Sequence, residues 1–146
     1  MQGAIVVLQN PPAGYPVVTP YLYYRDVGAA MDFLIAAFGF AERIRTKTPD
    51  GDIAHAELSL GDSVIMLGCP SADYRSPRDT GHVHHLVHVY VDDVDGHFAK
   101  AKAAGATVIA EPETKPYGDR NYLVEDPEGQ QWGFAQHVAD VPIEAQ

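Results

Sequence analysis

Seven histidines in 146 residues are the side chains with the widest chemical reach here, because imidazole titrates near neutrality and ligates metals. Four of them crowd the tract His82-Val83-His84-His85-Leu86-Val87-His88. As a strand, this tract divides: His84, Leu86, His88 and Tyr90 share one face, while His85 and Val87 take the other. His84 and His88 then stand roughly 13 Å apart at ~3.3 Å per residue, too far to chelate one ion together. Each needs a partner from another strand. His82, His85 and His97 read as linker or surface, with His97 on an exposed helix face. His55 and Glu57 alternate with Ala56 and Leu58, the apolar pair expected to meet a helix, so imidazole and carboxylate share the opposite face. A general-base role for His55 or His88 is chemically available, yet the sequence sets no nucleophile or oxyanion hole beside either. Cys69 reads as a bystander thiol at a strand end.

A repeated unit positions these residues. Counting 67 residues forward carries Asp26-Val27 onto Asp93-Val94, Met31 onto Phe98, Leu34 onto Ala101 and Gly61-Asp62 onto Glu128-Gly129. The match slips by one near Gly39 and Gly105, where two helices are expected to end. A unit of half a domain occurring twice is a duplicated module rather than a solenoid.

Each module is predicted as β-α-β-β-β. An arm over residues 1–16, broken by Pro11, Pro12, Gly14 and Pro16, precedes the first module, 17–70; within the arm, the apolar run 4–8 suits an edge strand. Residues 17–25 form the first strand, Asp26 caps a helix with its apolar stripe at Val27, Met31, Leu34, Ile35 and Phe38, and strands follow at 41–48, 53–60 and 63–67. A linker, 71–81, leads to the second module, 82–138, and a tail, 139–146. There the strands fall at 86–91, 107–110, 121–125 and 131–137, with a helix at 94–104. The fold class is α+β, one domain in all. Helices cover one face of each mixed sheet and leave the other free, and two such sheets side by side curve into a cup.

The 67-residue step carries His55 to Tyr122 and Glu57 to Val124, and Arg120 joins that face. The first strand adds Tyr21 and Tyr23. Trp132 and Phe134 are expected in the core, and Tyr117, in the loop before Gly118, at the rim of the cup.

Composition bounds the function. A formal charge of −10 disfavours nucleic acid, whose backbone needs a basic face, and favours cationic ligands. No apolar run is long enough for a membrane span and no basic, signal-like start is present. One cysteine allows no internal disulfide and fits a cytoplasmic setting.

Val18-Thr19-Pro20-Tyr21-Leu22, Ala37-Phe38-Gly39-Phe40, Asp50-Gly51 with His55-Ala56-Glu57, Gly105-Ala106-Thr107, Gly118-Asp119-Arg120 and Asp126-Pro127-Glu128-Gly129 together resemble the vicinal oxygen chelate superfamily. That group holds glyoxalase I, extradiol dioxygenases and bleomycin-resistance proteins, and the likeness is closest to its PhnB-like, bleomycin-resistance-like branch. The resemblance implies paired βαβββ modules forming a cup, often completed across a homodimer. It also implies four metal ligands, His, Glu or Gln, on the first and last strands of each module. Those places hold Thr19, Met66, Leu86 and Gly133, which offer a divalent ion almost nothing. Leu86 at a cup-facing position also turns His84 and His88 to the cup.

Three functions compete on this scaffold. The first is a homodimeric binding protein that holds a small aromatic or cationic molecule through Tyr21, Tyr23, His55, Glu57, His88, Tyr117, Arg120 and Tyr122, with no metal, cofactor or turnover. The second is a metal-dependent lyase, isomerase or dioxygenase rebuilt on His55, Glu57 and His88. The third is a metal-independent enzyme. The missing ligands favour the first.

Overall fold

Asp26 and Asp93 set where the two long helices begin. Each carboxylate accepts a main-chain N–H three residues on, from Ala29 and Gly96, and so satisfies a donor that the first turn of a helix leaves open. In this computed structural model, which describes residues 7–142 and 144, helix α1 spans Val27–Phe38 and ends at Gly39, whose φ of 82° is the left-handed conformation that side chains resist. A short helix, α2, covers Pro77–Thr80 within the linker, and α3 spans Val94–Ala103. Among the described residues no helix is long and apolar enough to cross a membrane.

Among the described residues eight strands complete an α+β fold: β1 Tyr21–Tyr23, β2 Ala41–Lys47, β3 Ile53–Leu60, β4 Ser63–Gly68, β5 Leu86–Tyr90, β6 Thr107–Thr114, β7 Asp119–Glu125 and β8 Gln131–His137. They form two four-stranded sheets of like order, β1-β4-β3-β2 and β5-β8-β7-β6. The first and last strands of each module run parallel, Tyr21 opposite Met66 and His88 opposite Gly133, and these two pairs are related by the 67-residue step. β1 starts later than expected, just after Pro20, which brings no N–H to a ladder. The suggested strand over 4–8 lies mostly outside the described residues; Val7 and Leu8 are exposed and belong to no strand.

One core serves both modules. Leu22, Met31, Leu34, Phe38, Ala56 and Leu58 from the first join Val94, Tyr122, Val124, Trp132 and Phe134 from the second in a single buried cluster. The end of α1 makes the join: the Phe38 ring lies 5.2 Å from that of Trp132 and 4.7 Å from that of Phe134. The helix-covered faces of the two sheets therefore share an interior, and their other faces turn away from it. Trp132 and Phe134 are core residues, as their alternation with Gly133 implies.

A second tie crosses between the modules at Asp126, in the turn after β7. Its buried carboxylate accepts from Tyr24 Oη (2.6 Å), Trp132 Nε1 (3.1 Å) and the main-chain N–H groups of Glu128 and Gln130 (both 3.1 Å). Burial pushes this carboxyl up from its ordinary value, and the four hydrogen bonds oppose that shift.

His97 corrects its expected place at the surface. It is half-buried on α3 between Tyr122 Oη at Nδ1 and the Phe38 carbonyl at Nε2, among the rings of Phe38, Tyr122 and Phe134. The carbonyl requires an N–H, so Nε2 carries the proton and Nδ1 accepts from Tyr122. Burial lowers the His97 pKa, with Lys100 adding to the effect and the Phe38 carbonyl opposing it. A lowered folded-state value means that the unfolded chain binds the proton more readily. Stability from this site should be complete above the ordinary imidazole value of 6.5 and fall as pH drops from there through the folded-state value. Denaturant midpoints measured across that window should show this slope in the parent chain and lose it in His97→Gln.

Candidate functional site

The free face of the first sheet gathers the expected residues into one network. Period-two alternation along β3 puts Ala56 and Leu58 in the core and His55 and Glu57 on the other side. His55 Nε2 lies 2.9 Å from Glu57 Oε2, so this nitrogen carries the proton, and Nδ1 accepts from Tyr21 Oη at 3.0 Å. Gly68, opposite His55 in the ladder, is what lets the Tyr21 ring approach: a Cβ there would stand 2.5 Å from the hydroxyl oxygen. Tyr23 packs edge-on against Tyr21 at 5.9 Å and against Tyr74 at 5.9 Å.

Two members of this network carry no periodic signal in the sequence. Tyr15, from the proline-rich arm, lies across the sheet and donates to Glu57 Oε1 at 2.6 Å. Arg43, the extra residue at a bulge in β2, holds the arm by donating to the Gly14 carbonyl (2.8 Å) and stacking 4.5 Å over the Tyr15 ring. Burial would raise the Glu57 pKa, but hydrogen bonds from Tyr15 and His55 and the nearby charges bring it below the ordinary carboxylate value. Glu57, only 5% exposed, is thus held as an anion on an aromatic surface.

The free face of the second sheet differs from the expectation at β7. Tyr122 is 1% exposed and lies in the core against Phe98 and Phe134. Arg120 also points to the helix side, where it donates to Asp95 on α3 at 3.1 Å. Neither stands on the cup face, which corrects both assignments. The cause is a one-residue change in the repeat: Glu57 pairs with Met66, but Leu123 rather than Val124 pairs with Gly133. Across β7 the step is 66, and a strand shifted by one residue turns every side chain to its other face. Counted between equivalent rungs, Leu60 to Ser63 and Asp126 to Gln130, the connection after β7 is one residue longer, which restores the step to 67 in β8.

The side chains that do face outward are Leu86, His88 and Tyr90 of β5 with Asp119, Asn121 and Leu123 of β7. His88 and Tyr90 meet edge-on at 5.1 Å. Tyr90 Oη donates to Asp119 Oδ2 (2.8 Å), and His137 bridges Asp119 and Asp140 at 2.8 and 2.6 Å. The hydrogen bond from His137 leads in lowering the Asp119 pKa, and Asp140 leads in raising that of His137. Tyr117 sits exposed in the loop before β7, its hydroxyl accepting from Asn121 at 2.9 Å. A strand expected to begin at residue 121 passes over Asp119. His84, His82 and His85 are exposed ahead of or at the start of β5.

The places where the resemblance puts metal ligands do not fit a divalent ion. Met66 lies between Tyr21 and Glu57 in the ladder, and the space over Gly133 is ringed by Leu86, Leu123 and His88. Thioether, alkyl and glycine are not a donor set for such a cation. Among the described residues no group of three or more His, Cys, Asp or Glu side chains is disposed to hold a metal.

The family model of the Glyoxalase/Bleomycin resistance protein/Dioxygenase superfamily matches residues 15–134. An uncharacterized protein of Mycobacterium bovis is 34% identical over 135 residues, 88% of each chain. Among solved structures, TioX from Micromonospora sp. ML1 is 38% identical with a TM-score of 0.69, over 82% of this chain and 97% of that one. A glyoxalase/bleomycin resistance protein/dioxygenase family enzyme from Burkholderia phytofirmans PsJN is 25% identical with a TM-score of 0.66, over 81% and 95%.

Proposed function

Because the chain belongs to the Glyoxalase/Bleomycin resistance protein/Dioxygenase superfamily, we propose that it is a homodimeric binding protein whose free sheet faces pair between protomers. The first face of one protomer meets the second face of its partner, closing a cup around a small aromatic or cationic molecule that is held without turnover. A cytoplasmic setting belongs to this reading, since the lone free thiol of Cys69 suits a reducing compartment.

The observation that carries the proposal is the direction of the tyrosine hydroxyls. Tyr15 spends its proton on Glu57, Tyr21 on His55 and Tyr90 on Asp119. Their lone pairs are left for a ligand, so these groups accept hydrogen bonds from N–H donors, and the aromatic faces and the net charge of −10 attract cations. Tyr21, Tyr23, Leu86 and Tyr90 also leave apolar surface on both faces, which association of two copies would cover.

A metal-dependent lyase, isomerase or dioxygenase rebuilt on His55, Glu57 and His88 is the second reading. It draws on the approach of His55 and Glu57 to 2.9 Å. An ion there has to displace Tyr21 or Glu57 from His55, whose ring nitrogens are both engaged.

Thermal-shift measurements with cationic glycopeptide and aromatic drugs, with and without zinc, nickel or manganese, separate the two. A ligand at about a hundred times its Kd adds ~2.7 kcal/mol to stability. Tyr23→Ala and Glu57→Gln should each weaken binding about tenfold, ~1.4 kcal/mol, with the unliganded fold intact, and light scattering should give a dimer. A shift produced by metal alone and lost in His55→Ala would reverse the ranking.

A further inference from the structure

The duplication provides an internal reference for a cavity between the modules. Where β1 leads into α1, the linker and the second module close the first module. Gln130 Nε2 and Tyr74 Oη donate to the Tyr23 carbonyl at 3.0 and 3.2 Å. Glu128 accepts from the main-chain N–H groups of Arg25 and Asp26 at 2.7 and 2.9 Å. The 67-residue step takes Tyr23 to Tyr90, and the ladders agree, since Tyr24 N–H donates to Gly68 as Val91 N–H donates to Ala135. At this second junction the place of Gln130 falls to Ser63 and that of Glu128 to Gly61. The serine side chain is too short to reach as glutamine does, and glycine offers nothing to the N–H groups of Asp92 and Asp93.

What is left is a cavity of about 690 Å³ that runs along β5 and just past its end, from Val87 to Asp92. Val18, Phe40, Leu60, Ile65, Val89 and Val91 make its walls apolar, and its size is that of a small-molecule site. Among the described residues β5 is an edge strand, with β8 as its one neighbour in the sheet. Main-chain groups alternate along a strand, so with Val91 N–H turned to β8, those of His88 and Tyr90 face the free edge. Such an edge is a template for another extended chain. No lysine or arginine lines the cavity and Asp92 stands at one end, which suits an ammonium and repels a carboxylate.

We propose that this cavity is a second binding site, for an extended apolar molecule bearing amide groups and a terminal ammonium, such as a short apolar peptide. The ligand lies as an added strand on β5, bonded to the main chain of His88 and Tyr90, with its ammonium at Asp92. The free sheet faces use the side chains of His88 and Tyr90; this site uses their backbone, and it stands whether or not the faces close into a cup.

The test is NMR titration and amide hydrogen exchange on the full chain with valyl-leucinamide as probe and N-acetylvalyl-leucine as the anionic control. The expected result is saturable shifts centred on the His88 and Tyr90 amides, with their exchange slowed about tenfold or more at saturation. The control should bind at least about tenfold more weakly, a difference of the size one lost charge contact gives. Ser63→Gln, which restores the amide of the counterpart junction, should abolish binding. Val18→Trp, which fills the cavity from a position 78% exposed, should do the same without disturbing the core. Shifts confined to Tyr21, Tyr23 and His55 would locate the probe on the free face and overturn the assignment. So would unchanged binding in both variants, or no shift at millimolar probe. Exchange at His88 and Tyr90 already slow without probe, and released on dilution to monomer, would mean that a second copy covers the edge, and would overturn it equally.

Discussion

Phe38→Ala is expected to destabilise both modules together, by about 3–5 kcal/mol. The ring is 1% exposed and touches aromatic rings of both modules, Phe33 at 5.4 Å and Trp132 and Phe134 at 5.2 and 4.7 Å. Truncation removes the transfer energy of a phenyl group and leaves a void that none of these rigid neighbours can fill by rotation. At about 2–4 °C per kcal/mol for a domain of this size, the melting temperature should fall by roughly 10 °C. Probes in either module, such as Trp132 fluorescence and the amides of β3, should report one shared transition. A melt in which only the first module loosens would show that the two sheets do not share a cooperative core.

The helices and the first sheet were legible because their signals are local. Asp26 and Asp93 each precede an apolar stripe of helical period, and His55-Ala56-Glu57-Leu58 alternates as a half-buried strand must. His97 was not legible, because what buries it is Phe38, 59 residues away in the other module, and no periodicity within α3 encodes a neighbour from elsewhere. Tyr15 was hidden for a similar reason: an arm of prolines and glycine has no period to say where it lies. The failure at Arg120 and Tyr122 has a different origin. The second module lacks one residue between Asp93 and Ala106 and regains it in the turn after β7. Helix starts and final turns keep step at 67 while the strand between them moves to 66. The slip at Gly39 and Gly105 thus persists through β6 and β7, and a single step reverses every inward and outward assignment there.

The same departures from symmetry distribute stability and binding surface. The longer turn after β7 carries Asp126, Glu128 and Gln130 onto β1 and locks that junction, while the shorter turn at Gly61-Asp62 leaves β5 uncovered. Identical modules would have closed both junctions or neither.

Asp126→Asn tests how much the locked junction contributes. The carboxylate takes two hydrogen bonds at each oxygen: Tyr24 and Trp132 at Oδ2, Glu128 and Gln130 N–H at Oδ1. An asparagine of the same shape can accept at one oxygen only, and its NH₂ must face two donors whichever way it turns. Two buried donors lose their partner, each costing about 1–3 kcal/mol, so a loss of roughly 3 kcal/mol is expected, and about 6–12 °C in melting temperature. Tyr24→Phe removes one donor and leaves the acceptor satisfied by the other three, so its cost should be about 1 kcal/mol. In the double variant the loss should be less than the sum of the two, because a phenyl ring in place of the Tyr24 phenol presents no hydroxyl to the amide. Strict additivity in that cycle, measured by denaturant unfolding, would show that Tyr24 and Asp126 do not act as one strut between the modules.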